Sequence, residues 1–194
     1  MTRKAIGTIL SVFFLLNFAF ASEIPIYDIG KENRQLKDFT IGLIVDSNQE
    51  NIDQITQIKE VKLINSRFTI TSIEDNYWFV FSIKNSTSET ITRIVGFDEV
   101  YMETADIYYQ TDSGWHHEQN GLSQPMDLRE IKNRSPVFYL SINAGETKTV
   151  YLKLHSRFDG VVGACVSTFI VLTGRGILCE LSILAASKAE TEIE

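Results

Sequence analysis

The feature that most constrains the fold is a run of alternating side chains at residues 76–85, Asn-Tyr-Trp-Phe-Val-Phe-Ser-Ile-Lys-Asn. Successive side chains of a β-strand point to opposite faces of a sheet, so every second residue of this run shares a face. The more apolar of the two faces carries Tyr77, Phe79, Phe81 and Ile83. The run therefore predicts a β-strand with one face in a hydrophobic core, ended by the turn formers that begin at Asn85.

Two later stretches carry turn signals between strand-like segments. Residues 105–111 lead into the turn formers D-S-G at residues 112–114, which predicts a β-hairpin. Residues 134–142 and 147–154 flank the sequence N-A-G-E, which predicts a second hairpin. In the last segment one face carries Val150, Leu152 and Leu154, and the other carries Tyr151, Lys153 and His155. Short strands with turn signals every 8–12 residues or so indicate an antiparallel β-sandwich.

Composition and charge exclude several function classes. A chain that is 44% hydrophobic and 22% charged has the makeup of a globular domain, neither disordered nor embedded in a membrane. The net charge of −7 argues against nucleic-acid binding, which needs clustered lysine and arginine. It also argues against an electrostatic attachment to anionic lipid headgroups.

The N-terminus has the pattern of a secretory signal peptide. Arg3 and Lys4 precede an apolar stretch at residues 6–18, and the sequence A-F-A follows shortly after it. Small residues in this spacing are accepted by a signal peptidase. The apolar stretch is also too short to span a membrane, which takes about 20 residues. We therefore predict that residues 1–21 are a cleaved signal peptide and that the protein is exported to the periplasmic, extracytoplasmic side of the inner membrane. An uncleaved membrane anchor is the alternative.

Several segments follow one another in the order of a known sensor domain. An extended segment ends at Asp46, and an aromatic strand of the form W-x-x-F-x-(hydrophobic)-x-N occupies residues 78–85. The sequence A-D-I-Y-Y follows at residues 105–109. The remaining matches are Gly121, Pro125, Arg129, Arg134, the strand at residues 137–140, and a Gly-Glu turn before residues 150–156. In this order, residues 27–157 resemble the second, jelly-roll type of extracellular sensor domain of bacterial seven-transmembrane receptors with diverse intracellular signalling modules.

The resemblance implies an all-β, antiparallel jelly-roll sandwich similar to carbohydrate-binding modules. It also implies a carbohydrate-like small ligand, bound outside the inner membrane, whose presence is signalled through the receptor to a cytoplasmic module. On this basis we assign residues 22–157 to a β-sandwich sensor domain and residues 158–194 to a divergent apolar tail.

The tail departs from the family pattern after Arg157, where the receptors continue into a closing strand and seven membrane spans. Residues 161–173 are apolar, but the sequence G-R-G and then Glu180 would make a poor membrane span. A substitute strand followed by a helix is a second interpretation. We favour a third, a truncated or frame-shifted receptor whose tail was not selected to fold, which predicts that deleting residues 160–194 costs little stability. Membrane association through the tail or an uncleaved signal, and the oligomeric state, stay open.

Catalytic and metal-binding patterns are weak. His116 and His117 are adjacent, and adjacent strand residues face opposite sides, so they cannot both reach one ion without a bend. Asp106, Asp112 and Glu118 have no recognisable paired arrangement. The sequence also has no Gly-x-Ser-x-Gly elbow and no phosphate-binding glycine loop. We therefore expect no enzyme activity, no metal and no cofactor.

Aromatic side chains are the stronger candidates for ligand contact. Sugars present C–H faces that lie on tryptophan and tyrosine rings, while their hydroxyls need polar partners. The candidate residues are Trp115, Tyr108, Tyr109, Trp78 and Arg134. Trp115 is preferred, because it follows a glycine turn and has polar neighbours, whereas Trp78 also suits the core of a sandwich.

Two function classes are compatible with these patterns. An extracytoplasmic sensor domain with a carbohydrate-like ligand predicts a concave site lined by aromatic and polar groups. The alternative is an exported structural or protein-interaction β-sandwich without a small-molecule ligand. That alternative predicts a flat polar surface, with contacts through sheet edges or loops.

Overall fold

A computed structural model describes residues 23–29, 39–97, 99, 101–157, 160–167, 171–173 and 176–178. The strands are β1 (Ile26–Asp28), β2 (Thr40–Asp46), β3 (Lys62–Asn65), β4 (Arg67–Ile70), β5 (Asn76–Lys84), β6 (Ile91–Phe97), β7 (Thr104–Thr111), β8 (Gly114–Asn120), β9 (Val137–Ile142), β10 (Thr147–His155), β11 (Gly160–Ser167), β12 (Val171–Thr173) and β13 (Gly176–Leu178). A short helix, α1 (Ile52–Ile55), follows β2, and a 3₁₀ turn (Met126–Leu128) follows β8.

The strands form two principal sheets. The larger sheet has the order β3-β2-β5-β10-β7-β8, and neighbouring strands on this path are antiparallel. It also receives β1, which pairs in parallel with β5. The smaller sheet has the antiparallel order β4-β11-β6-β9, and β12 pairs separately with β13. The predicted all-β sandwich is confirmed.

The core lies between the two sheets and is filled by one face of each central strand. The larger sheet contributes Tyr77, Phe79, Phe81, Ile83, Val150, Leu152 and Leu154, and the smaller sheet contributes Val95, Phe97, Phe138, Leu140, Ile142 and Val162. Each of these side chains is at most 1% exposed. Full burial of such an aliphatic or aromatic side chain contributes about 1.5–3 kcal/mol, so this alternation dominates the stability of the fold. The core residues predicted for β5 and β10 are confirmed.

The two predicted hairpins have different outcomes. The first is confirmed, because β7 and β8 pair around residues 112–113, with Thr111 opposite Gly114. The second is wrong, because β9 pairs with β6 in the smaller sheet while β10 pairs with β5 and β7 in the larger one. The turn between them crosses from sheet to sheet, and its Glu146 N–H donates to the Asn143 carbonyl at 3.1 Å. Both strands have one apolar face, and the two faces meet across the core rather than side by side.

The beginning of the predicted tail forms a strand of the smaller sheet. β11 pairs with β4 through residues 160–163 and with β6 through residues 164–167. Its Val162 side chain is 1% exposed and lies in the core. The substitute strand of the second interpretation is therefore found at Gly160–Ser167.

The predicted signal peptide, residues 1–21, lies outside the described residues, as do residues 179–194 of the tail. In the part of the chain that the structure describes, no helix is long and apolar enough to cross a membrane.

Candidate functional site

The larger sheet has an outer face that points away from the smaller sheet. It carries the side chains that alternate with the core set, and cross-strand pairing arranges them in rows. One row, here called the tyrosine row, consists of Val80, Tyr151, Tyr108 and His117. The neighbouring aspartate row consists of Trp78, Lys153, Asp106 and Gln119. Polar and aromatic groups from β5, β10, β7 and β8 therefore share one surface.

A segment at residues 46–58 covers one side of the outer face. Its helix α1 begins with a capping box, in which Asn51 and Gln54 each donate a backbone N–H to the other's side-chain oxygen, at 2.9 Å and 3.0 Å. The segment packs on the sheet through an apolar cluster of Ile44, Ile52, Ile55, Ile58, Val61, Trp78 and Val80. This packing makes the segment a fixed wall beside the rows.

Asp46 anchors the beginning of this wall. Its buried carboxylate accepts hydrogen bonds from the backbone N–H groups of Asn48 and Glu50, each at 3.0 Å. It also accepts from Trp78 Nε1 at 3.3 Å. The Trp78 side chain is 0% exposed, so its indole lies beneath the surface and supports the Tyr108 ring, 5.4 Å away between centroids.

Trp115 joins the wall to the opposite edge of the sheet. Its Nε1 donates a hydrogen bond to Asp53 Oδ1 at 3.0 Å. Its ring meets the Tyr151 ring edge to face, with centroids 5.8 Å apart and planes at 84°. Burial raises the pKa of the Tyr151 hydroxyl, which therefore stays protonated at physiological pH.

Tyr108 is, like Tyr151, a half-buried tyrosine of the tyrosine row. Its ring stacks on the His117 imidazole, with centroids 4.4 Å apart and planes within 5°. Burial, together with the charge of Asp106, raises the pKa of the Tyr108 hydroxyl from 10.0 to about 12. The hydroxyl is thus a neutral group that can donate or accept a hydrogen bond.

Asp106 is a buried carboxylate beside Tyr108, with 4% of its surface exposed. Its Oδ1 lies 2.7 Å from His117 Nε2 and accepts from Gln119 Nε2 at 3.2 Å. Burying a charge is costly unless it is hydrogen-bonded, and these two partners from β8 supply the bonds. The result is a fixed set of hydrogen-bonding groups next to an aromatic ring.

Two clefts open on the outer face, separated by the tyrosine row. The larger cleft, of about 600 Å³, includes Gln110, Asp112, Trp115, Glu146, Lys148 and Tyr151 in its lining. The smaller cleft, of about 390 Å³, includes Asn76, Asp106, Tyr108, His117, Lys153 and His155. Both volumes fall within the range of about 300–1,000 Å³ that is usual for small-molecule sites.

The structure brings together three of the predicted ligand contacts. Trp115 and Tyr108 lie on the outer face, and Trp78 lies directly beneath it. Tyr109 points to the other side of β7, where its ring stacks on His116 with centroids 4.5 Å apart. Arg134 is exposed and lines a separate cavity of about 210 Å³. As contacts to a ligand, these residues stay predictions.

Sequence reasoning did not include several neighbours of these residues among the ligand contacts. They are Asp106, His117, Gln119, Tyr151, Lys153 and His155. Alternation along the strands could have identified them, because each is next in sequence to a residue that points to the inner side of the larger sheet. The expectation that His116 and His117 face opposite sides is confirmed by their stacking on Tyr109 and Tyr108.

The chemistry that the outer face supports is recognition by ring contact and hydrogen bonding. Within the described residues, no group of His, Cys, Asp and Glu side chains converges as a metal site requires. In the same part of the chain, His155 Nδ1 is a buried polar atom without a hydrogen-bond partner.

Three comparisons relate the chain to known proteins. A search among curated proteins finds no match. Among solved structures, the enzymatically active domain of tailspike protein 4 from bacteriophage CBA120 aligns at 7% identity, over 70% of this chain and 18% of the tailspike chain. The TM-score of 0.30 is too low for that alignment to support an argument. Residues 42–161, more than half of the chain, match the family model described as 7TMR-DISM extracellular 2. The chain therefore belongs to this family of extracellular sensor domains of seven-transmembrane receptors, and its sandwich lies on the extracytoplasmic side of the membrane.

Proposed function

We propose that the outer face of the larger sheet binds a carbohydrate-like small ligand and that this binding is the sensory event of the receptor. Members of the family are sensor domains rather than typical enzymes, so we expect the site to recognise a ligand.

The observation that carries the proposal is the tyrosine row between two clefts. Tyr151 lines the larger cleft, while Tyr108 and His117 line the smaller one. Aromatic rings suit the C–H faces of a sugar ring, and the neighbouring Asp106 and Gln119 can bond its hydroxyls. The combination of ring faces with closely placed polar groups is what saccharide recognition needs.

The shape of the face favours this proposal over the alternative of a protein-interaction sandwich. A flat polar surface would suit that alternative, whereas the outer face has two clefts of about 600 and 390 Å³. The wall at residues 46–58 is held in place by Asp46 and Asp53. A ligand would therefore meet a largely preformed site, which limits the entropy lost on binding.

The test is to measure saccharide binding to the native domain and to the Tyr108→Ala variant by calorimetry, after screening a panel of neutral and acidic oligosaccharides. Removing a ring at the centre of the site should weaken binding by about tenfold or more. Tyr101→Ala is the matched control, because Tyr101 is 62% exposed and lies beside Leu122 and Met126 instead. Equal effects of the two substitutions, or no binding to any saccharide, would overturn the proposal.

The truncated or frame-shifted origin of residues 158–194 also stays a prediction. We expect the downstream genomic sequence to encode seven membrane spans and a signalling module in a shifted frame. Downstream sequence that encodes neither would remove that interpretation without affecting the proposal for the outer face.

A further inference from the structure

The two clefts differ in the charge of their linings. The smaller cleft contains one lysine, Lys153, and two histidines, His117 and His155, with Asp106 as its acidic residue. Glu146 and Lys148 also line the larger cleft, but their side chains pair with each other at 3.3 Å and lie beside Tyr109, on the other side of the sheet. The larger cleft is left with the charge of Asp112, so an anionic ligand group would find a cation in the smaller cleft and not in the larger one.

Lys153 is the central cation of the smaller cleft. It is half-buried on β10, between Trp78 and Asp106 in the aspartate row. Its Nζ lies over the Trp78 ring, 5.2 Å from the centroid. Among the residues that the structure describes, no carboxylate oxygen lies within 4.0 Å of this ammonium. A half-buried cation that lies over an aromatic ring and has no carboxylate within 4.0 Å keeps its capacity to bind an anion.

The acidic neighbour of Lys153 is engaged elsewhere. Asp106 Oδ1 is held by His117 and Gln119 on β8, away from β10. The other nearby carboxylate, Asp46, accepts hydrogen bonds from backbone N–H groups and from Trp78. Neither carboxylate neutralises Lys153 by direct contact.

Lys148, the other lysine of β10, points to the other side of the sheet and shows the opposite arrangement. Its Nζ lies 3.3 Å from Glu146 Oε1 and donates to the Ser141 carbonyl at 2.7 Å. It also lies over an aromatic ring, that of Tyr109, at 4.8 Å. The two lysines on β10 thus share a ring contact, but only Lys148 has a carboxylate partner.

We infer that the smaller cleft takes the carboxylate of an acidic saccharide, such as a uronic acid residue, with Lys153 as the group that pairs with it. Asp106 and Gln119 bond the sugar hydroxyls. This inference rests on the proposed function and specifies the ligand class for the same face.

The experiment compares oligosaccharides whose carboxyl groups are either ionised or methyl-esterified. Oligogalacturonides and oligoglucuronides are titrated into the native domain beside their methyl-esterified forms, at low and high ionic strength. The acidic form of at least one pair should bind about tenfold more tightly than its ester, and high salt should reduce this preference.

Lys153→Gln should abolish the preference for the acid over its ester. Lys148→Gln is the matched control and should preserve the preference, with thermal melts to verify that both variants fold. Equal binding of acid and ester in every pair would overturn the inference and leave the proposed function intact. Binding to no saccharide, acidic or neutral, would overturn both.

Discussion

The indole nitrogen of Trp115 donates a hydrogen bond to the carboxylate of Asp53, at 3.0 Å, across the outer face of the larger sheet. This bond connects β8, at the edge of the sheet, to the helix that packs over Trp78 and Val80. It therefore fixes the width of the larger cleft, which Trp115 and Tyr151 line together. Trp115 is the ligand contact that the sequence favours most, and through Asp53 it also holds α1 in position.

The Trp115–Asp53 bond should be measurable by a double-mutant cycle. Trp115→Phe keeps an aromatic ring against Tyr151 but removes the donor, and Asp53→Ala removes the acceptor. Because the pair is largely exposed to solvent, we expect a coupling energy of about 0.5–1 kcal/mol in urea unfolding. Strictly additive effects would mean that the bond contributes nothing to the stability of the fold.

Deleting β11 should be severely destabilising, and this replaces the expectation from the sequence that residues 160–194 can be removed at little cost in stability. β11 lies between β4 and β6, and Val162 is buried in the core, so its removal exposes apolar surface and leaves β4 without its partner in the smaller sheet. A chain that ends at residue 159 should lose about 5 kcal/mol or more, or fail to fold, in urea melts followed by circular dichroism. A chain that ends at Ser167 is the control and should retain most of the stability. If both chains melt alike, the strand is dispensable and the interpretation of an unselected tail gains support.

Arg129 should be structurally essential, in contrast to Arg134. Its buried guanidinium donates to the carbonyls of Gly121, Gln124 and Asn133 and so organises the loop between β8 and β9. Burial lowers the pKa of this guanidinium, but arginine remains charged, so removing it leaves buried carbonyls unpaired. We expect Arg129→Met to cost about 2–4 kcal/mol in a urea melt, and Arg134→Met to change stability by no more than about 0.5 kcal/mol. Similar losses in the two variants would contradict this assignment.

Tyr108 should make the domain sensitive to alkaline pH. Its pKa is raised from 10.0 to about 12 in the folded protein, so the unfolded chain loses this proton first as the pH rises. The stability that the neutral hydroxyl contributes is complete below pH 10.0 and is lost as the pH rises to about 12. Tyr108→Phe should therefore flatten the decline of unfolding free energy in this window, while Tyr101→Phe should not. The same decline in both variants would show that Tyr108 is not its source.

Period-two alternation was sufficient to predict the fold class and much of the core. Phe79, Phe81 and Ile83 are fully buried, because they share one strand face and an apolar face is stable only when it is removed from water. Pairing between strands was harder to predict. The hairpin expected around Asn143 is absent, because the turn crosses between sheets and a short turn sequence does not specify which sheet each flanking strand joins.

The candidate site was predictable only in part. Tyr108 and Tyr109 are neighbours on one strand, so only one of them can reach a given face, and the sequence did not show which face is concave. Trp78 points away from the main core but is fully buried, because α1 covers it, and that contact joins residues far apart in the chain. Lys153 could not be predicted as a ligand contact from the sequence, because the hydrogen bonds of Asp106 to His117 and Gln119 are visible only in the structure.

The most direct test of the account is to map the ligand face by nuclear magnetic resonance of the ¹⁵N-labelled domain during titration with the saccharide that binds best in the panel. We expect shifts in the backbone amides of β7, β8 and β10 and in the indole N–H of Trp115, with the amides of β4, β6 and β9 unaffected. That pattern would place the ligand on the outer face of the larger sheet. Shifts confined to the smaller sheet or to the loop around Arg129 and Arg134, with the Trp115 signal unchanged, would contradict the central claim.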